Sequence, residues 1–229
     1  MESSNGNIIV PQAFNSKAFG VAWILLICLY FTTWINYLLF HTLAELFSIV
    51  IAFCLFIIAA HTRDYIDNSY LNFVGVAYFF IACLDLLHTL SFKGMPIFTS
   101  YDFYANQLWI GARYMESITL VLASIVLQRE KKCNFFWLFS LYGIASVTMV
   151  LSIYYWRIFP ECFVEGVGQT SFKTYSEYVI CGILFLASFL LHKNKTSFKG
   201  DIYRILQLSI LFTVISELAF TFYISNYGF

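Results

Sequence analysis

Charge is scarce in this sequence: only 11% of its 229 residues are Asp, Glu, Lys or Arg, whereas a soluble domain usually carries about 25%. Positive and negative side chains balance to a formal net charge of zero, so no basic surface points to nucleic acid as a partner. Proline is also rare, and Pro11, Pro96 and Pro160 all lie outside the apolar stretches. Many transporters build their sites from helices broken by Gly or Pro, and that signature is missing here.

The motifs of several enzyme classes are missing too. No two of the six cysteines form a C-x-x-C pair, which argues against a thiolate zinc site or a redox dithiol. The segment from His41 to Glu45 lacks the second His of a zinc protease. The sequence also contains no nucleophile elbow, no P-loop and no Gly-rich dinucleotide motif. A protein without enzymatic activity is therefore predicted, and no cofactor is identified.

Apolar residues dominate instead, at 60% of the chain, with a mean hydropathy of +0.75. Seven apolar stretches approach or exceed the roughly 17–25 residues that cross a bilayer as a helix. They lie at about residues 19–39, 42–61, 70–92, 105–127, 135–156, 174–191 and 203–224. This pattern predicts an all-α, polytopic membrane helix bundle of seven transmembrane helices, with residues 1–18 as an N-terminal segment and residues 19–229 as the membrane domain.

Basic residues are unevenly divided between the two ends of these helices. Nine Lys or Arg would lie on one side of the membrane and three, namely Lys93, Arg157 and Lys173, on the other. The positive-inside rule then places the N-terminal segment in the cytoplasm and, after an odd number of spans, Phe229 outside. No basic region precedes the first apolar stretch, so no cleavable signal peptide is predicted.

Five acidic residues interrupt the apolar stretches, although a carboxylate at mid-membrane costs at least ~2.5 kcal/mol. Two histidines and one arginine lie three or four residues from an acid, a spacing that places both side chains on one helix face. Counting about 1.5 Å per residue puts the whole set in the outer half of the membrane. The candidate ligand-binding residues are His41, Glu45, Asp85, His88, Arg113, Glu116, Glu177 and Glu217.

Three interpretations of these residues stay open: ion pairs that hold helices together, a ligand or proton site, and a metal or haem site. His41, Glu45, Asp85 and His88 would offer two nitrogen and two oxygen ligands, a set that suits a divalent ion. His61 and His192, at the other ends of their helices, are more typical of capping or interfacial residues.

Several segments together resemble the third of the bacterial membrane-associated sensor (MASE-type) domain families. The resemblance runs in order from about residue 20 to the end of the chain. The matching strings are His41-Thr-Leu-Ala-Glu45, Asp85-Leu-Leu-His88-Thr-Leu, Phe92-Lys-Gly-Met-Pro96, the segment from Asn106 to Glu116, the segment from Phe163 to Lys173 and the segment from Ser216 to Tyr223.

The resemblance implies a sensory input module in the bacterial cytoplasmic (inner) membrane. Relatives of this kind pass a signal to a diguanylate cyclase or histidine kinase output domain, in cyclic-di-GMP or two-component signalling. They continue into an eighth membrane helix before that domain, so this chain is expected to lack its last helix and its output partner. The lipid bilayer is the other expected partner, and a homodimer is left open. The alternatives are a small-molecule or proton-coupled transporter and a haem- or metal-binding membrane protein.

The turn from Glu165 to Gly168, with Gln169 and Lys173 after it, would join the fifth and sixth helices at the outer face. Glycine permits a tight turn, so this segment is expected either to fold back as a lid or to be a solvated connector.

Overall fold

The computed structural model describes residues 16–63, 65, 69–101, 103–129 and 134–221, with side chains from residue 20 onward. Most of the predicted N-terminal segment, residues 1–15, lies outside the described residues, and so does the chain end at Phe229. The family resemblance beyond Thr221 falls there too.

Seven α-helices make up the described part of the chain. They are α1 Ser16–Phe31, α2 Tyr37–Thr62, α3 Ser69–Leu90, α4 Tyr104–Gln128, α5 Phe135–Tyr154, α6 Ser171–Lys193 and α7 Gly200–Thr221. Helices α2 to α7 are each long and apolar enough to cross a membrane, and α1 is shorter. The prediction of an all-α membrane helix bundle is confirmed.

Of the described residues, those from 16 to 40 form a unit of their own, and α1 is its main element. This helix ends at Phe31, well before the predicted residue 39. The hydroxyl of Thr32 donates to the carbonyl of Leu29 at 2.6 Å, and a 3₁₀ turn covers Thr32–Trp34. Asn36 Oδ1 then accepts from the backbone N–H of Leu38 at 2.8 Å, which starts α2 earlier than predicted, because an Asn side chain satisfies a free N–H of the first helical turn.

The second unit runs from residue 41 onward, and α3 and α4 form its centre. Both helices are buried along most of their length, with Ala77, Leu108 and Ala123 fully inaccessible. A Cβ added at Gly75 on α3 would lie 2.2 Å from the Cβ of Ala59 on α2. Small residues of this kind allow membrane helices to approach closely, where van der Waals packing holds them together.

Polar side chains connect α6 to its neighbours. Ser188 on α6 donates to Oε1 of Gln207 on α7 at 2.6 Å, and Gln207 Nε2 donates to the Ser188 carbonyl at 2.9 Å. Asn194, which follows α6, donates to the carbonyl of Ser124 on α4 at 3.1 Å. These bonds satisfy polar groups that would otherwise be costly among lipid tails.

The connection between α5 and α6 contains a small antiparallel hairpin, β1 Phe163–Val164 and β2 Gly168–Gln169. Gly166 and Gly168 have φ angles of 79° and 102°, values that L side chains rarely adopt. The hairpin folds back on the bundle: Gln169 donates to the Phe220 carbonyl at 2.8 Å, and Glu165 pairs with Lys93 at 2.9 Å. It therefore covers the end of the unit at which α3 and α7 finish and α4 and α6 begin, called the site end below.

Candidate functional site

All eight residues singled out in the sequence lie between the middle of the second unit and its site end. They come from five helices: α2, α3, α4, α6 and α7. Asp85, His88, Glu116, Glu177 and Glu217 are buried. The other three, His41, Glu45 and Arg113, are half-buried.

Arg113 on α4 forms the centre of a network of charges, called the arginine network. Its Nη2 donates to both carboxylate oxygens of Asp85 on α3, at 2.8 and 2.7 Å. Its Nη1 donates to Oε2 of Glu116, one helical turn further along α4, at 2.5 Å. The other oxygen of Glu116 accepts from the Tyr78 hydroxyl at 2.8 Å. One cation thus holds two carboxylates and ties α3 to α4.

A second group, called the histidine group, consists of His41 and Glu45 on α2 and His88 on α3. The Nε2 atoms of the two histidines are 3.3 Å apart, and Glu45 Oε1 is 4.0 Å from His41 Nε2. One potential ligand atom from each of the three residues lies within 4.8 Å of the others. The His41 ring stacks on Phe92 with 3.8 Å between the centroids.

Trp109 on α4 stands between these two groups. Its ring lies 5.4 Å from the His88 ring, and the Arg113 guanidinium is 4.7 Å from its centroid. The geometry with Arg113 is that of a cation–π interaction. Phe220 near the end of α7 packs edge-on against the same ring at 5.0 Å. Three helices are therefore in contact around this indole.

The third group, called the acidic group, joins α6 and α7. Lys173 is buried, and its Nζ donates to Glu177 Oε1 at 2.5 Å. Glu217 on α7 is 0% exposed, and neither of its carboxyl oxygens has a hydrogen-bond partner among the described residues. It interacts electrostatically with Arg113 and Glu177, so this group borders the arginine network.

The pairs that these residues form in the structure differ from the pairs that their spacing along the chain suggests. Asp85 pairs with Arg113 on the next helix rather than with its helical neighbour His88, and His88 meets His41 instead. Arg113 and Glu116 pair within one helix as the spacing predicts, and His41 Nε2 and Glu45 Oε1 lie 4.0 Å apart on α2. Of the four candidate metal ligands, His41, Glu45 and His88 come together, whereas the Asp85 carboxylate is bonded to the arginine.

Three further side chains of the site were not singled out in this role. Lys173 is four residues before Glu177 and Trp109 four before Arg113, so helical spacing could have identified both. Tyr78 has no such signal, because its partner Glu116 lies on another helix.

Two exposed histidines lie away from the site. His61 bonds to the Ile57 carbonyl at 2.9 Å, and His192 bonds to the Tyr203 hydroxyl at 2.7 Å, in line with a capping or interfacial role.

None of the cysteines in the described ranges belongs to these three groups. The five that the structure describes are free, and Cys133 lies outside the described residues. Cys162, in the α5–α6 connection, is fully buried, and burial raises the pKa of its thiol to about 12. A reactive thiolate is therefore not expected there.

The comparisons with known proteins bear on the chain as a whole. The model of the membrane-associated sensor domain family MASE3 matches residues 32–229. No curated protein and no solved structure matches. The family match contains α2 to α7 and all eight candidate residues, and it agrees with the resemblance seen in the sequence. The chain, a multi-pass membrane protein, thus belongs to the membrane-associated sensor domain family.

Proposed function

We propose that this chain is a non-enzymatic sensory input domain that binds an ion or small ligand in the polar interior of its site end. Binding would shift the arrangement of the surrounding helices and so change the activity of a cytoplasmic output domain. Membership of a sensor domain family supports the sensory role. The buried charged and polar groups of the interior support the binding of a ligand there.

The buried carboxyl of Glu217 is the observation that carries the proposal. If the acids served only to hold helices together, each would be expected to have a cationic or hydrogen-bonding partner, as Asp85 and Glu116 do. Both Glu217 oxygens have none among the described residues. Buried polar groups are nearly always satisfied in native proteins, and exceptions cluster where something else binds. The acidic group therefore has acceptor atoms available for a ligand, a cation or water.

Helix α7 is the element best placed to move in response. Glu217 sits near its end, next to α6, while α3 and α4 are fixed to each other through Arg113. A ligand changes the balance of two arrangements only if it binds one of them more tightly. A ligand bound between Glu217 and the arginine network would favour the arrangement in which α7 lies against that network.

The orientation in the membrane follows from charge. We propose that the N-terminus is cytoplasmic, that the membrane is the bacterial inner membrane and that the site end faces outward, because nine of the basic residues lie towards the other end. The proposed partners are a diguanylate cyclase or histidine kinase output domain, reached through the further helix that the family resemblance implies, and a second copy of the chain.

The test is a fusion of the chain, through such a helix, to a diguanylate cyclase. Glu217→Gln keeps the shape of the side chain and removes its charge, so we expect a folded protein whose cyclic-di-GMP output no longer matches that of the parent. Asp201→Asn is the control, because Asp201 lies exposed in the first turn of the same helix. Parental output from a Glu217→Gln fusion would contradict the proposal.

A further inference from the structure

We propose that His41, His88 and Glu45 form a binding site for a divalent transition-metal ion of the zinc class. The site would use one nitrogen from each histidine and one carboxylate oxygen. The site uses no residue of the acidic group on which the proposed function depends, so this inference goes beyond that function and stands independently of it.

The protonation of His88 is fixed by its surroundings. Its Nδ1 lies 2.8 Å from the backbone carbonyl oxygen of Ala105. A carbonyl only accepts, so Nδ1 carries the hydrogen and donates it. In the neutral ring Nε2 then has a free lone pair, and it points towards His41. Histidines that bind metals usually donate their other N–H to a backbone carbonyl or carboxylate in this way, which sets the orientation of the ring.

The distance between the two histidines matches a shared metal. Bonds of about 2.0–2.1 Å at a tetrahedral angle place two nitrogen ligands roughly 3.3–3.4 Å apart. The Nε2 atoms of His41 and His88 are 3.3 Å apart. A hydrogen bond between the two rings would give the same distance, and the metal titration described below distinguishes the two cases.

Glu45 completes the set of ligands. A shift of its carboxylate by roughly 1 Å would bring Oε1 to the spacing of a tetrahedral ligand. Asp85 does not compete for the metal, since both its oxygens are bonded to Arg113. Two imidazoles and one carboxylate form a ligand set typical of Zn²⁺ and of related first-row ions, with a fourth position left for water or another small ligand.

The surroundings hold the ligands in place. His41 lies on α2 and His88 on α3. Nearer to them than the contact between Gly75 and Ala59, these helices meet in a buried cluster of Ile49, Ala52 and Ala82. Within the described residues His41 Nδ1 has no hydrogen-bond partner, so the stack on Phe92 at 3.8 Å orients its ring instead. Metal binding would therefore link the first half of α2 to the end of α3.

Direct titration of the purified full chain with Zn²⁺, and with Co²⁺ as a spectroscopic probe, tests the inference. We expect one ion per chain and a Co²⁺ spectrum typical of mixed nitrogen and oxygen ligation. His41→Ala and His88→Ala should each abolish stoichiometric binding, and Glu45→Gln should weaken it. His61→Ala, a histidine at the other end of α2, should bind like the parent.

Thermal unfolding of each variant without metal separates loss of a metal ligand from loss of the fold. If a histidine variant does not fold, the weaker binding expected of Glu45→Gln tests the site in its place. Absence of stoichiometric binding in the folded parent would overturn the inference, as would full binding in both histidine variants.

Discussion

At the scale of single residues, the buried acids of this bundle are of two kinds. Asp85 and Glu116 both bond to Arg113, so their charges are compensated by a cation in the same place. Glu217 interacts with that cation only at a distance and has no hydrogen-bonding partner among the described residues. The first kind holds α3 and α4 together, and the second is free to respond to what binds.

Loss of the Arg113 cation should therefore strongly destabilise the protein. Arg113→Gln would leave Asp85 and Glu116 without their shared partner, and removing one member of a buried pair typically costs about 3–5 kcal/mol. We expect a large fall in the midpoint of thermal unfolding of the detergent-purified protein. The matched control is Arg204→Gln, because Arg204 is exposed and 3.9 Å from Asp201, and an exposed pair contributes about 0–1 kcal/mol. Equal midpoints for the two variants would show that the network does not stabilise the bundle.

At the scale of helices and turns, apolar length predicted most of the architecture. The predicted spans at residues 70–92 and 105–127 differ by two residues or fewer from α3 and α4. The exceptions have local causes: Thr32 and Asn36 divide the first predicted stretch, and Thr170 caps α6 by accepting from the Lys173 N–H at 3.3 Å. The hairpin was not predicted either, because strands of two residues leave no periodic signal.

Close packing of α2 against α3 gives a prediction for Gly75. Gly75→Ala places a Cβ 2.2 Å from that of Ala59, so the helices must separate, and overpacking of this kind typically costs about 1–3 kcal/mol. Gly182→Ala on α6 is the matched control, since its Cβ would meet nothing within 4 Å; there Ala should be neutral or up to about 1 kcal/mol stabilising. Thermal unfolding measures both, and a Gly75→Ala protein as stable as the parent would contradict this packing.

The fold of the α5–α6 connection can be tested through Cys162. Its thiol is fully buried, with a pKa raised from 9.0 to about 12 by burial. We expect iodoacetamide at pH 8 to leave Cys162 unmodified while it labels a Val167→Cys variant, because Val167 at the hairpin turn is 82% exposed. Peptide mass spectrometry identifies the labelled residue. Equal labelling at both positions would mean that the hairpin does not cover the bundle end.

The raised pKa of Cys162 also determines how the stability of the protein changes at alkaline pH. The folded state holds the Cys162 proton more tightly than the unfolded state does, so this group's contribution to stability is complete below pH 9.0. It is lost as the pH rises from 9.0 towards about 12. A Cys162→Ala variant should lose less stability than the parent over that range.

At the scale of the whole molecule, the candidate residues could be selected from the sequence, but their partners on other helices could not be predicted. A carboxylate inside an apolar helix is conspicuous wherever it lies, which identified Glu45 and Glu217. Which helix stands next to which is a property of the fold, so the sequence did not show that Asp85 would meet Arg113, and the four-ligand metal set only assumed that His41 would meet His88. The metal hypothesis accordingly changed from four ligands to three once the helices were in place.

The orientation of the bundle is the remaining prediction, and charge alone supplies it. Residue 195 lies in the 3₁₀ turn between α6 and α7, in the basic segment from Lys193 to Arg204. A reporter that is active only in the cytoplasm should therefore be active when fused after residue 195, and one that is active only outside should be active when fused after Phe229, because the positive-inside rule and seven spans put these points on opposite sides.

Helix α1 decides the outcome for the N-terminus, since it is shorter than a usual span. A tag before residue 16 that is accessible from outside would show that α1 does not cross. Cytoplasmic activity at Phe229 together with cytoplasmic activity at residue 195 would mean that α7 does not cross, and the outward orientation proposed for the site would then lose the span count on which it rests.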